Sequence, residues 1–95
     1  MHLCYLQNGG TTLEMMAGGK VKPEAQVKDF KSTLAKPGHH HVCLEVGKLD
    51  EVVSELRRRE VRILVEPFNV PEIGRRLAFI NDVNGGVIEL MSKLP

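Results

Sequence analysis

The stretch "LAFINDVNGGVIELM", residues 77–91, holds two apolar runs joined by a turn rich in Asn and Gly. "RRLAFI" (75–80) reads as a strand, "NDVNGG" (81–86) as a turn and "VIELMS" (87–92) as a second strand, because apolar and β-branched runs bounded by Asn-Gly signals favour paired strands. A weaker echo opens the chain at residues 2–16, "HLCYLQNGGTTLEMM". In both stretches an apolar strand leads through a Gly-Gly turn to an apolar-Glu-apolar strand. Such self-similarity is the mark of a repeated supersecondary unit.

Working outward, "HVCLEV" (41–46) alternates, so Val42, Leu44 and Val46 share one face of a strand while His41, Cys43 and Glu45 share the other. In "LDEVVSELRRRE" (49–60), Leu49, Val52, Val53 and Leu56 recur at helical spacing, with the charges on the other side. "VRILVEP" is β-rich and is expected to stop at Pro67, with "NVPEIG" (69–74) as a loop. Residues 38–92 thus spell β-α-β-β-β. Before them, "LCYL" (3–6) and "TTLEMM" (11–16) predict a hairpin about "NGG" (8–10). "AGGKVKP" (17–23) reads as a loop, and "EAQVKDFKSTLA" (24–35) predicts an amphipathic helix that ends before Pro37. The expected fold is α+β. Residues 1–37 form a partial leading module and residues 38–95 a complete βαβββ module, within a single structural domain 1–95.

Composition excludes several classes of function. The chain has 95 residues, 42% hydrophobic and 26% charged, as in an ordinary globular protein. A chain this short buries about 60–65% of its unfolded surface, so a partner subunit would add stability. A net charge of +1 gives no field for nucleic acid or membrane, and the absence of Trp, with one Tyr and three Phe, removes a base-stacking platform. Cys4 and Cys43 lack metal-motif or disulfide-framework spacing and read as reduced, cytoplasmic residues. No apolar run approaches a membrane span, and no basic-then-apolar leader is expected.

Glu89 lies between Ile88 and Leu90. A carboxylate inside an apolar strand is either on a solvated face or is buried with a partner or a metal. Glu14 repeats the arrangement in the opening hairpin. His41 heads the alternating strand, with His39 on the same side. Neutral imidazole is the commonest metal ligand, although a histidine run beside Pro-Gly is also compatible with a solvated turn. Arg57, Arg58 and Arg59 read as a solvated run near a helix C-terminus. Arg75 and Arg76 either hold a substrate carboxylate or phosphate or form an exposed loop-to-strand pair. Cys43, Met15, Met16 and Met91 read as packing residues.

"GHHHVCLEVGKLDEVVSELRRREVRILVEPF" followed by "GRRLAFINDVNGGVIELM" resembles the C-terminal module of the vicinal oxygen chelate superfamily, which includes glyoxalase I, methylmalonyl-CoA epimerase, extradiol dioxygenases and bleomycin-resistance proteins. The resemblance covers nearly all of residues 38–92, and "VKDFKSTLAKPGHHH" resembles the connection between modules. It implies two βαβββ modules whose sheets form a cup around a divalent metal, with this module's mixed sheet forming half of the cup. It implies His41, Glu89 and Glu14 as metal ligands, at positions matching the first strand of one module and the last strands of both. The metal would be Zn, Ni, Co or Mn. The first strand, helix and second strand of a leading module have no counterpart here, and neither does a fourth ligand. Either the chain is a fragment or a second subunit supplies the missing half; a homodimer, which would also cover an open sheet edge, is expected. "DVNG" also replaces the family's Asp-Pro-Asp-Gly turn, and Glu60 stands where members carry glycine after the helix.

The activity implied is that of a lyase or isomerase of the glyoxalase I or methylmalonyl-CoA epimerase type. Proton transfer beside a carbonyl would proceed through a metal-stabilised enediolate, with Glu89 as base and Glu14 able to share proton return. The substrate would be a small molecule, a glutathione or CoA thioester, with Arg75 and Arg76 as further substrate-binding residues. A bleomycin-resistance-like protein that binds a small molecule without catalysis is the rival. A cupin, suggested by His39-x-His41 and Glu45, fits poorly because a helix follows where strands should continue.

Overall fold

The structure is a computed structural model that describes residues 2–17 and 40–95. The predicted loop beyond Ala17, the predicted helix 24–35 and His39 lie outside the described residues. The opening hairpin is present. Strands β1 (His2–Asn8) and β2 (Thr11–Ala17) pair antiparallel with Asn8 opposite Thr11, and Gly9 takes the positive φ of 60° that closes the turn. The pair forms a two-stranded sheet of its own. Leu3, Tyr5, Leu6, Leu13, Met15 and Met16 on it are all exposed.

The second unit runs β3 (His41–Glu45), α1 (Leu49–Arg58), β4 (Ile63–Val70), a 3₁₀ turn at Pro71–Ile73, β5 (Arg75–Asn81) and β6 (Val87–Lys93). Its sheet has the order β3-β6-β5-β4, with β3 parallel to β6 and the other pairs antiparallel. This is the expected βαβββ unit with a mixed sheet. Pro67 does not end its strand. β4 is an edge strand, and its register shifts between Val65 and Phe68, so the missing N–H of Pro67 is accommodated in the irregularity and pairing resumes to Val70.

α1 forms because one stripe of it is apolar. Leu49 is 2% exposed, and with Val53 it packs on Ala78, Ile80 and Leu90, one face of the central strands. Complete burial of each such side chain contributes roughly 1.5–3 kcal/mol, so Leu49→Ala is the single change that would most weaken this contact. Asp50 and Glu51 in the first turn and Arg57 and Arg58 in the last complement the helix dipole. The helix ends on Glu60, whose φ is 64°. Glu60 N–H donates to the Arg57 carbonyl and Val61 N–H to the Leu56 carbonyl, each at 3.0 Å, which is the Schellman arrangement of a helix end. Glycine would take that backbone conformation without strain.

The β5–β6 turn is held by Asp82. Its Oδ1 accepts from Asn84 N–H and Gly86 N–H, each at 2.8 Å. A Cβ on Gly86 would lie 2.7 Å from Asp82 Oδ2, so only glycine allows the carboxylate to close the turn this tightly. The turn fixes the register that sets Phe79 opposite Glu89.

Candidate active site

Glu89 lies on β6, flanked by β3 and β5. Strand alternation sends Ile88 and Leu90 to the helix side, and with them Ala78 and Ile80 of β5. Glu89 therefore belongs to the opposite face, together with Phe79 across one ladder and Cys43 across the other. His41 heads β3 on this same face.

His41 Nε2 and Glu89 Oε1 are 2.8 Å apart, and their side chains keep only 21% and 16% of their exposure. The Phe79 ring meets the His41 ring edge-on at a centroid distance of 5.5 Å. Phe79 itself is only 5% exposed. On its other side, His41 Nδ1 lies 2.5 Å from Nδ1 of His40. With both rings neutral, one proton arrangement satisfies both contacts. His41 Nε2–H donates to Glu89, and His40 Nδ1–H donates to His41.

Cys43 completes the row. Its thiol is pushed up to about 11, first by desolvation, then by its hydrogen bond to Glu89, then by the charges of Glu89 and Glu45. Although the residue as a whole is exposed, the thiol lies against a carboxylate. At neutral pH it is a protonated donor that helps hold Glu89, and it is not an activated nucleophile. From the sequence Cys43 reads as a packing residue. Its register with Glu89 depends on a parallel pairing between residues 46 apart, which no local pattern encodes.

The two donors suit a metal. An imidazole nitrogen and a carboxylate oxygen brought this close are donor types that a divalent ion could share. Glu14 stands on the separate hairpin and is exposed. Among the described residues no group of three or more His, Cys, Asp or Glu side chains is arranged to hold a metal ion. The hairpin nevertheless repeats the site's local pattern. Tyr5 pairs with Glu14 as Phe79 pairs with Glu89, and Leu3 pairs with Met16 as Leu77 pairs with Met91.

The arginines separate. Arg76 turns to the helix side, where Nε and Nη2 each donate to the Asp50 carboxylate at 2.9 Å and Nη1 donates to Asn69 at 2.8 Å. The Arg76 guanidinium holds the Asp50 carboxyl below its ordinary range. This pair clasps α1 to β5. Arg75 lies on the Glu89 face of the sheet, paired with Lys93 across β5 and β6. Arg57 reaches Glu66 at 2.5 Å, while Arg58 and Arg59 both engage Glu55, so the arginine run is an exposed, salt-bridged face.

Comparison with known proteins agrees with this architecture. The model of the "Glyoxalase/Bleomycin resistance protein/Dioxygenase superfamily" matches residues 1–79, a stretch that includes Glu14 and His41 and stops before Glu89. Mitochondrial methylmalonyl-CoA epimerase of Bos taurus is 26% identical over 88 residues, covering 90% of this chain and 49% of the relative. The Homo sapiens enzyme is 24% identical over 88 residues, again covering 90% of this chain and 49% of the relative. The chain spans about half the length of the curated relatives it matches. Among solved structures, TioX from Micromonospora sp. ML1 superposes with a TM-score of 0.65 at 17% identity, over 98% of this chain and 68% of that one. A hypothetical protein from S. aureus does so with a TM-score of 0.60 at 17% identity, over 95% and 66%.

Proposed function

The chain belongs to the glyoxalase/bleomycin resistance protein/dioxygenase superfamily, and from that membership we propose that it serves a metal-assisted proton transfer beside the carbonyl of a thioester, of the epimerase type. One observation carries this reading. His41 and Glu89 converge to 2.8 Å on the face away from the helix, from strands that are not adjacent in sequence. The likeness to methylmalonyl-CoA epimerases supports a CoA thioester over a glutathione adduct as substrate.

His41 Nε2 and Glu89 would hold a divalent ion, which when bound polarises the carbonyl next to the carbon that loses its proton. Glu89 takes that proton, since a carboxylate held against the reacting C–H gains from proximity. Cys43 keeps the carboxylate oriented, and Phe79 excludes water from one side of it. Return of the proton to the other face of the carbon inverts the centre. Glu14 is suited to that return, and to a third ligand position, when a second copy of the chain sets its hairpin against this face. A homodimer therefore belongs to the proposal.

The test is uptake of one divalent ion per site by the purified chain, followed by exchange of the α-proton of methylmalonyl-CoA in D₂O by NMR. Metal uptake with solvent exchange supports the enzyme. Neither metal uptake nor exchange ends this reading. That only two candidate ligands meet among the described residues favours one alternative, a metal-free binding protein of the same fold. Ligand binding that is unchanged by EDTA, with no exchange, would identify it.

A further inference from the structure

Arg75 opens β5 and Lys93 closes β6, and the two are direct partners across the antiparallel ladder. Directly opposed residues share a face with their Cβ atoms about 5 Å apart, and like charges there destabilise the pair. No salt bridge among the described residues relieves either one. Among the described residues Arg75 donates only to the neighbouring Gly74 carbonyl, at 3.2 Å. The adjacent Arg76, by contrast, is fully engaged by Asp50 and Asn69. A repulsive pair on an ordered ladder calls for a negatively charged ligand.

Its position says which kind. Lys93 follows Glu89 by four residues on the same strand face, a span of about 14 Å. Leu77 and Met91, paired across the ladder, lie between. Glu45 is in register with Met91 and, with Val46, Gly47 and Lys93, lines a surface depression. Its charge disfavours an anion on the β3 side and directs one toward Arg75. We infer that Arg75 and Lys93 form an oxyanion subsite for the far end of a thioester ligand, an end carrying phosphate on a long uncharged arm. The inference rests on the reading of His41 and Glu89 as the reacting centre. Arg and Lys suit phosphate, and the apolar row suits an arm without charge. In glutathione each carboxylate lies only about one residue from the thiol-bearing cysteine, too short for this span.

The experiment compares 4′-phosphopantetheine, pantetheine and glutathione by calorimetry on the full chain and on Arg75→Gln/Lys93→Gln. Wild type should bind 4′-phosphopantetheine about tenfold more tightly than pantetheine, and the double variant should lose that preference. Added salt should shrink it. The double variant should fold at least as stably as wild type, since repulsion is relieved, and thermal unfolding checks this. Equal affinity for the two pantetheines in wild type, a preference that survives in the variant, tighter binding of glutathione, or no binding of any probe would overturn the subsite. Glu89→Gln separates the two readings. A phosphate preference that persists in wild type and in this variant while wild type takes up no metal and exchanges no proton sinks the proposed activity and leaves the subsite standing.

Discussion

Cys43 stands opposite Glu89 in the parallel ladder of β3 and β6, where burial and the neighbouring carboxylate raise its thiol. The contact makes the thiol a reporter of the site. Because its value is raised to about 11, alkylation by iodoacetamide at pH 8 should be slow and should rise about tenfold per pH unit toward pH 11. Glu89→Gln removes both the charge and the accepting carboxylate, so it should lower the thiol's value and speed alkylation at pH 8. Mass spectrometry of the Cys43 peptide reads this, and a rate unchanged by Glu89→Gln would refute the contact. The same shift sets a stability window. The neutral thiol is favoured in the folded state, so its contribution is complete below about pH 9 and is lost as pH rises through about 11.

His41→Ala should reduce divalent-metal affinity by well over tenfold, because it removes one of the two proposed ligands. It should also cost about 1–3 kcal/mol without metal, since Glu89, largely buried, loses its partner. Glu89→Gln should lose metal equally but cost less stability, because the amide oxygen still accepts from His41. Urea unfolding with and without EDTA separates the two effects. Equal metal affinity in wild type and His41→Ala would remove His41 from the site.

Glu60→Gly should stabilise the chain by about 1 kcal/mol, because residue 60 sits at φ 64° and glycine adopts that conformation without Cβ strain. The net gain is reduced by glycine's larger entropy in the unfolded chain. A urea midpoint at or below that of wild type would show that the end of α1 adopts another backbone conformation.

The exposed apolar face of the hairpin predicts self-association. On the hairpin face that carries Glu14, Leu3 and Met16 are directly opposed and 53% and 64% exposed, with Tyr5 beside them at 58%. Light scattering should report a dimer at micromolar concentration, and Leu3→Lys with Met16→Lys should yield monomer. A monomeric wild type would count against a site completed by a second copy.

Much of this architecture was legible because short-range chemistry encodes it. Asn-Gly and Gly-Gly turns located both hairpins, alternation gave the face of His41, and helical spacing gave Leu49 and Val53. What was not legible depended on pairing at a distance. Pro67 reads as a strand end until β4 is known to lie at an edge, where a missing N–H and a register shift are tolerated. Arg76 looks equivalent to Arg75 until Asp50, 26 residues away, claims it on the helix side. His40 reads as turn until its ring is found against His41. The predicted 24–35 helix and His39 lie outside the described residues, and the place of Glu14 in the site rests on a second copy.

Among the described strands β3 is the outermost of its sheet, and it carries His41. Its outer backbone groups can accept another strand, and whatever docks there bears directly on the imidazole's reach toward Glu89. Under the proposed function, ion occupancy and protomer concentration become linked variables: if association draws His41 toward the carboxylate, dilution weakens the grip on the ion, and chelation loosens the assembly by the same free energy.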